Sequence, residues 1–434
     1  MPPQSQYVKR RNKLAKKIGE GSVAIIASSK EALRNGDVVY RFRQNSSFYY
    51  LTGFNEPDAI LVIIGGKNAE SILFNRPRHK EEEIWTGSRL GQSQAIKELN
   101  VEAAYPIDEF TQLLPKLLQG KTQVYSCIGQ DKIVEAPIYA AFLQIKSAAR
   151  RGLTCPSQLI DLAPLLGEMR LFKDEEEIAL LKKACAISVE AHKKAIKACP
   201  KLNFEYQLEA LLLATFMHNG CQHQAYDSIV AAGKNACTLH YTNNNAPLKS
   251  GELVLIDAAC EYSNYAADIT RTFPQNGQFT ARQRALYEIV LNAQRSTIAN
   301  IRPGISWSAL QTNIVKIMTS GLRDLKILKG PLDELIEKEA YKPFYMHSSG
   351  HWLGLDVHDV GSYKKNDQWR KLEQNMVFTV EPGLYISESQ DVDPAWWNIG
   401  IRIEDDILVT EKSFINLTDD LPSAIADIED LMRG

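Results

Sequence analysis

Three of the chain's eight histidines lie in one short segment, His347-Ser348-Ser349-Gly350-His351-Trp352-Leu353-Gly354-Leu355-Asp356-Val357-His358-Asp359. Imidazole is the commonest protein metal ligand and the commonest acid or base near neutral pH, so histidines gathered this closely point to a site. Carboxylates flank the segment in the chain: Asp257 and Asp268 precede it, Glu381 and Glu404 follow it. One histidine with four carboxylates would bind hard divalent cations.

The carboxylates are singled out by their neighbours. Asp257 ends the apolar run Leu253-Val254-Leu255-Ile256, and an ionised carboxylate at the end of a buried strand is costly unless paired or bound to a cation. Asp268 stands in Ala266-Ala267-Asp268-Ile269-Thr270-Arg271. If the two runs form a hairpin, both aspartates can face one way. Glu381 follows Met376-Val377-Phe378-Thr379-Val380 and is held by Pro382-Gly383. Arg402 and Glu404 alternate with Ile401 and Ile403, so as strand residues they point the same way.

Each has a plainer reading: Asp257 as a turn residue, Asp268 in a salt bridge to Arg271, and Arg402 with Glu404 as a surface ion pair worth little. Asp405 and Asp406 read as ordinary exposed acids. Among the histidines, His351 has the strongest claim on a metal, because Gly350 and Gly354 let the backbone approach a crowded site. His358 reads as a catalytic imidazole or one placed behind the ligands, and His347 as support. His240, beyond a Gly233-Lys234-Asn235 turn, has no distinction alone. The set Asp257, Asp268, His351, Glu381 and Glu404 suits two divalent ions better than one, since carboxylates can bridge. Its oxygen-rich donors favour manganese, although cobalt, iron or zinc would also bind.

Strands and tight turns must bring these residues together. Residues 23–27, 59–64, 71–74 and 124–127 predict strands, and 108–118 a helix despite Pro115, which makes a mixed α/β domain. The texture changes at Leu171-Phe172-Lys173. Asp174 and Glu177 read as the N-cap and capping-box partner of a long helix over 175–198, with Ile178, Leu181, Cys185, Ser188 and Ala191 as its inner stripe. A boundary near Phe172 would divide the chain into 1–172 and 173–434. Beyond it, 206–218, 281–301 and 307–324 predict helices. Residues 251–259 and 266–273 predict strands joined by a turn, followed by strands at 376–380 and 399–409. The expected fold class is α+β.

A chain of 434 residues is too long for one ordinary core. Fifty basic residues against 52 acidic ones leave no electrostatic footprint for nucleic acid. No apolar run approaches membrane-spanning length. The basic start, Lys9-Arg10-Arg11 to Lys16-Lys17, is followed only by the short apolar run 23–27. It reads as a basic helix before a buried strand and not as a transit or signal segment. Seven cysteines at scattered spacings without a C-x-x-C pair read as reduced thiols of a cytoplasmic protein.

The ordered blocks resemble those of the pita-bread metallopeptidases, and among these the bacterial aminopeptidase P (Xaa-Pro aminopeptidase) group. The blocks are Gly233 through His240-Tyr241, Leu255-Ile256-Asp257-Ala258, Ala267-Asp268-Ile269-Thr270-Arg271-Thr272-Phe273, His351 through Gly361, Thr379-Val380-Glu381-Pro382-Gly383-Leu384-Tyr385 and Gly400-Ile401-Arg402-Ile403-Glu404-Asp405-Asp406. The N-terminal half is similar too, through Phe42-Arg43-Gln44-Asn45-Ser46 and Tyr50-Leu51-Thr52-Gly53-Phe54-Asn55-Glu56-Pro57. The resemblance implies an N-terminal α/β domain of that group followed by a pita-bread catalytic domain. It also implies a dinuclear site, usually of manganese. By position, Asp257 would chelate one ion, His351 and Glu381 the other, and Asp268 and Glu404 would bridge them. A water or hydroxide between the ions would be the nucleophile. Glu381 would pass its proton to the leaving proline nitrogen. His358 and His240 would donate to the substrate carbonyl or oxyanion, and Arg402 would brace the carboxylates.

Tyr226, Tyr385 and His347 would stand at the substrate pocket, and Asp37 and Trp85 near its mouth. Trp85 would reach the site of a neighbouring subunit in a dimer or tetramer, or else be a core tryptophan. In related enzymes a glycine often follows the first histidine of the segment directly; here Ser348 and Ser349 intervene, which bears on the shape of the loop and leaves the ligand position intact. The implied activity is removal of the N-terminal residue from peptides with proline second. A prolidase restricted to dipeptides, a non-catalytic binding relative and a methionine aminopeptidase are the alternatives. The first differs in the peptides it cleaves, the second in lost ligands, and the third lacks the N-terminal domain and the downstream histidine block.

Overall fold

The computed structural model describes residues 4–67, 69–130, 132–389 and 391–434. The chain divides into two compact units, Met1–Met169 and Arg170–Gly434. No helix among the described residues is long and apolar enough to cross a membrane.

The first unit is built on a six-stranded mixed sheet. Its strands run in the spatial order Ala103–Pro106, Glu70–Asn75, Ile60–Ile64, Ser22–Ala27, Gln123–Ser126 and Gln158–Asp161. The Ser22–Ala27 strand is buried along its whole length, which is why it reads as a continuous apolar run and not an alternating one. The basic first helix, Gln4–Ile18, does not simply show its charge to water: Arg10 and Arg11 point inward and are buried. Arg11 donates to the carbonyls of Leu51, Leu99 and Asn100 and to Ser71 Oγ, so its guanidinium ties three segments together. The helix expected at 108–118 is present as Phe110–Leu118, with Pro115 inside it and a 3₁₀ turn, Ile107–Glu109, before it.

The second unit opens with the helix Glu175–Ala198, capped reciprocally by Asp174 and Glu177 as its sequence predicts. Leu181, Cys185, Ser188 and Ala191 of its stripe are buried, and Ile178 partly so. Two three-stranded sheets carry the acidic residues. One pairs Ile229–Ala232, Leu253–Asp257 and Thr270–Pro274; the other pairs Val377–Val380, Asp405–Val409 and Phe414–Asn416. An antiparallel ribbon of Gly383–Ile386 and Ile399–Arg402 accompanies them.

Two expectations are corrected here. Leu253–Asp257 does pair antiparallel with Thr270–Pro274, with Asp257 opposite Thr270. The intervening chain is not a plain hairpin turn, since Cys260–Tyr262 and Tyr265–Ala266 form part of a separate small sheet, and Asp268 lies just outside the strand. The single strand expected over 399–409 is two strands in different sheets. The chain changes partners at Ile403 and Glu404, whose N–H groups donate to the carbonyls of Pro382 and Thr270. Strand alternation therefore does not explain why Arg402 and Glu404 both reach the Thr270 hydroxyl; they do so across the change of sheets.

Candidate metal centre and active site

The histidine segment lies against the strand Val377–Val380. His351 N–H donates to Thr379 Oγ1, Thr379 N–H to the His351 carbonyl and Glu381 N–H to the Ser349 carbonyl. This pairing sets His351 beside Glu381. It requires close backbone approach at Gly350, where a Cβ would overlap the Thr379 carbonyl. Behind His351, Trp352 is fully buried and stacks on Tyr363 with ring centroids 5.2 Å apart, against Trp307 and Phe378. Such a rigid aromatic block fixes the histidine from the rear.

His351 Nδ1 lies 3.1 Å from the Trp352 carbonyl. A proton on Nδ1 donated there leaves Nε2 facing the carboxylates, 3.3 Å from Asp268 Oδ2 and 3.7 Å from Glu381 Oε1. Asp268, His351 and Glu404 each offer one ligand atom within 4.8 Å of the others. Asp257 is engaged from two sides: Arg402 Nη2 is 2.6 Å from its Oδ2, and the Tyr226 hydroxyl is 2.5 Å from its Oδ1. The same hydroxyl is 2.5 Å from Asp268 Oδ1.

The charge balance fits cations. Four carboxylates converge on one guanidinium and one imidazole. Burial pushes Glu404 well above the usual carboxylate range, and the charges of Asp268, Glu381 and Asp257 push it further. Burial likewise raises Asp268 against its hydrogen bond to His351. Glu381 is pushed up to about 7 by burial, against the pull of the His351 charge. Burial works to lower His351, yet the hydrogen bond and charge of Asp268 outweigh it and hold the imidazole at about 9. Oxygen-rich acids that cannot all stay ionised together, beside an imidazole nitrogen turned toward them, form a donor set that hard divalent ions suit.

The other expected residues take distinct places. Tyr226, His240, His347, His358 and Arg402 line a cavity of about 690 Å³ together with Asp257, Asp268, His351, Glu381 and Glu404. The His358 ring is 4.3 Å from that of His351, and its pKa is lowered by burial and by the His351 charge. His347 Nε2 is 2.9 Å from the Tyr385 hydroxyl, and burial lowers this imidazole to about 4. Tyr385 is not part of the lining. It is buried behind it and accepts from Arg402 Nη1 at 2.9 Å. Arg402 and Glu404 are both buried, so the surface ion-pair reading of the two is excluded.

Asp37 and Trp85 belong to the first unit. Asp37 sits in the exposed turn between Leu33–Asn35 and Val38–Val39. Trp85, on the helix Lys80–Thr86, is 88% exposed, which rules out a core tryptophan.

Three features escape sequence reasoning. Thr270 Oγ1 donates to Glu404 Oε2 at 2.6 Å and accepts from Arg402 Nε at 3.2 Å; the only signal was its place two residues after Asp268. Asp405 and Asp406, expected to be exposed, are buried. Asp405 pairs with Arg271 at 2.7 Å, so Arg271 serves Asp405 and not Asp268. Asp406 accepts from the Asp268 N–H at 3.0 Å and from the Cys185 thiol at 3.2 Å, fixing the backbone of Asp268. Lastly, Asp359 forms buried ion pairs with Arg170 at 2.5 Å and Lys173 at 3.0 Å.

Residues 179–411 match the model of metallopeptidase family M24, and residues 7–125 that of the aminopeptidase P N-terminal domain. The chain belongs to metallopeptidase family M24. It is a hydrolase of a divalent-metal family, and Asp268, His351 and Glu404 form a cluster that could hold such an ion. It is 46% identical over 429 residues to the Xaa-Pro aminopeptidase of Escherichia coli (strain K12), covering 98% of this chain and 97% of that protein. Among solved structures it is similar to proline aminopeptidase P II from Yersinia pestis, with 47% identity, a TM-score of 0.97 and complete coverage of both chains. Zinc-substituted E. coli aminopeptidase P in complex with product is 45% identical, with a TM-score of 0.97 over 100% of this chain and 98% of that one.

Proposed function

We propose that this M24 chain removes the N-terminal residue from peptides whose second residue is proline. The observation that carries the proposal is the convergence of Asp268, His351 and Glu404 with Glu381 on one wall of a cavity that His240 and His358 also line. The named relatives, Xaa-Pro aminopeptidases over nearly their full length, support it.

Asp257, Asp268, His351, Glu381 and Glu404 would hold two divalent ions, manganese by preference. When bound, such ions polarise the scissile carbonyl and bring the pKa of a water molecule toward neutrality. The chain's own residues do the rest. The Xaa-Pro bond is a tertiary amide whose leaving nitrogen carries no hydrogen, so a proton must be delivered to it. Glu381 takes that proton from the attacking water and hands it to the proline nitrogen. His358 and His240 donate hydrogen bonds to the carbonyl oxygen as it gains negative charge. Arg402 holds Asp257 in place from behind, and Tyr226 forms part of the wall. The Tyr385 hydroxyl holds Arg402, and His347, on the pocket wall, meets that same hydroxyl.

Residues 1–172 would form the N-terminal domain and 173–434 the catalytic one. A cytoplasmic homo-oligomer, dimer or tetramer, belongs to the same reading. The exposed apolar side chains of Leu33, Tyr40, Ile84 and Trp85 on the first unit support the oligomer. The deciding experiment is a peptide panel varying the second residue and the length, run with several divalent metals. Cleavage of Xaa-Pro-Xaa in preference to Xaa-Ala-Xaa is expected. Activity on Xaa-Pro dipeptides alone would make the chain a prolidase, and a purified protein that binds no metal and releases no amino acid would sink the enzyme reading.

A further inference from the structure

His240 is carried by the loop between the strands Ile229–Ala232 and Leu253–Asp257. One residue that sequence reasoning passes over holds this loop. Glu205 opens the helix Glu205–His218 and is fully buried. Its Oε1 accepts from the Ala232 N–H at 2.7 Å and from Asn235 Nδ2 at 3.1 Å. Its Oε2 accepts from the Ala246 N–H at 2.8 Å and from the Tyr241 hydroxyl at 2.9 Å. The Glu205 N–H in turn donates to the Ala246 carbonyl at 3.0 Å.

The placement of these donors carries the argument. Ala232 leads into the loop and Ala246 leaves it, so the carboxylate closes the loop at its base. Asn235 and Tyr241 lie within it, and Tyr241 is the chain neighbour of His240. The far half is pinned independently by buried Asn244, whose side chain accepts from the Val230 N–H at 2.9 Å and donates to the Ser228 carbonyl at 2.8 Å. His240 itself is exposed on the cavity wall. Four donors complete the acceptor capacity of one ionised carboxylate, and the first turn of a helix favours that negative charge.

We propose that Glu205 is a positioning residue for the peptidase reaction, acting through His240. This rests on the role proposed above for His240 as a donor to the substrate carbonyl. A glutamine at this position keeps the shape but turns an NH2 group toward two of the four donors, leaving buried or partly buried N–H or O–H groups unpaired. The loop then relaxes. A displacement of about 1 Å at a group that must meet a developing charge is enough to slow the reaction by about 100-fold.

The test is a double-mutant cycle in the metal-loaded protein with an Xaa-Pro-Xaa peptide, comparing wild type, Glu205→Gln, His240→Ala and the double variant. The expected result is a kcat about 10- to 100-fold lower in Glu205→Gln, with KM and bound metal near wild type. In the His240→Ala background the same change should cost less than about twofold. An unchanged kcat, or the same fold-loss in both backgrounds, overturns the proposal, because a merely structural effect multiplies with the loss of His240. If Glu205→Gln does not fold, Tyr241→Phe removes one of the four bonds and is read in the same cycle against the same criteria. Failure of the wild type to cleave Xaa-Pro peptides refutes the functional reading and this inference with it. An active wild type with multiplying losses refutes the Glu205 inference alone.

Discussion

Gly354 lies so close to Asp359 that a Cβ on it would overlap the Asp359 carboxylate and crowd Lys173. The loop between them closes on itself, with Asp359 N–H donating to the Trp352 carbonyl at 2.8 Å and Gly354 N–H to the Asp356 carbonyl at 3.1 Å. His351 and His358 stand at the two ends of this closed loop. Asp359 anchors it, because Arg170 and Lys173 from the start of the second unit both reach its buried carboxylate. Gly354 is thus required for space and not for an unusual backbone angle.

Gly354→Ala should accordingly destabilise the protein and slow it. Overpacking alone costs about 1–3 kcal/mol, and loss of a buried charge pair about 3–5 kcal/mol. A lower thermal midpoint and a lower kcat on an Xaa-Pro-Xaa peptide are expected together. A midpoint within one degree or so of wild type would show that the carboxylate moves aside freely.

Arg402 serves three partners with one planar fork: Asp257 through Nη2, the Tyr385 hydroxyl through Nη1 and Thr270 Oγ1 through Nε. A lysine offers a single ammonium on a flexible stem and cannot meet all three. Arg402→Ala and Arg402→Lys should therefore both lower kcat, by about 100-fold or more for alanine, with lysine recovering only a small part. Steady-state kinetics decide it, and a lysine variant within twofold of wild type would contradict the fork argument.

These contacts also mark what a sequence can and cannot convey. The capped helix Glu175–Ala198 was legible because its cap, its stripe and its Cys199-Pro200 stop are all local signals. The acids Asp257 and Glu381 were legible because each ends an apolar strand. Asp406 was not, since its burial depends on the Asp268 N–H and the Cys185 thiol, both distant in the chain. Adjacent acids such as Asp405 and Asp406 are usually solvated, and only the switch of sheets at Ile403 and Glu404 turns them inward. Glu205 was invisible for the same reason: its donors Ala232, Asn235, Tyr241 and Ala246 carry no pattern that points back to it.

Metal removal should unload both stability and activity. Four carboxylates share this site with the Arg402 guanidinium and the His351 imidazole that Asp268 holds protonatable, so divalent ions that bind the folded chain relieve their mutual repulsion. Dialysis against a chelator should abolish cleavage and lower the thermal midpoint, and manganese should restore both in a concentration-dependent way. At about 100 times its dissociation constant, a ligand bound only by the folded state adds about 2.7 kcal/mol. A midpoint indifferent to metal concentration would argue against the proposed ligand set.

His192 supplies a pH dependence that lies outside the reacting groups. It is buried on the long helix, its Nε2 donating to the Ala258 carbonyl at 2.8 Å. Burial lowers its pKa from 6.5 to about 4. The unfolded chain thus binds a proton that the folded chain refuses between these values, and stability falls as pH falls through that window. The contribution is complete above about pH 6.5, and at pH 5 about 2 kcal/mol of it should be gone. His192→Gln keeps a donor for the Ala258 carbonyl but does not titrate. Urea unfolding at pH 7.5 and pH 5 should show a larger loss in the wild type than in His192→Gln. The carboxylates titrate in both proteins, so the difference between the two losses isolates His192. Equal losses in the two proteins would mean that the imidazole charges without penalty in the folded state.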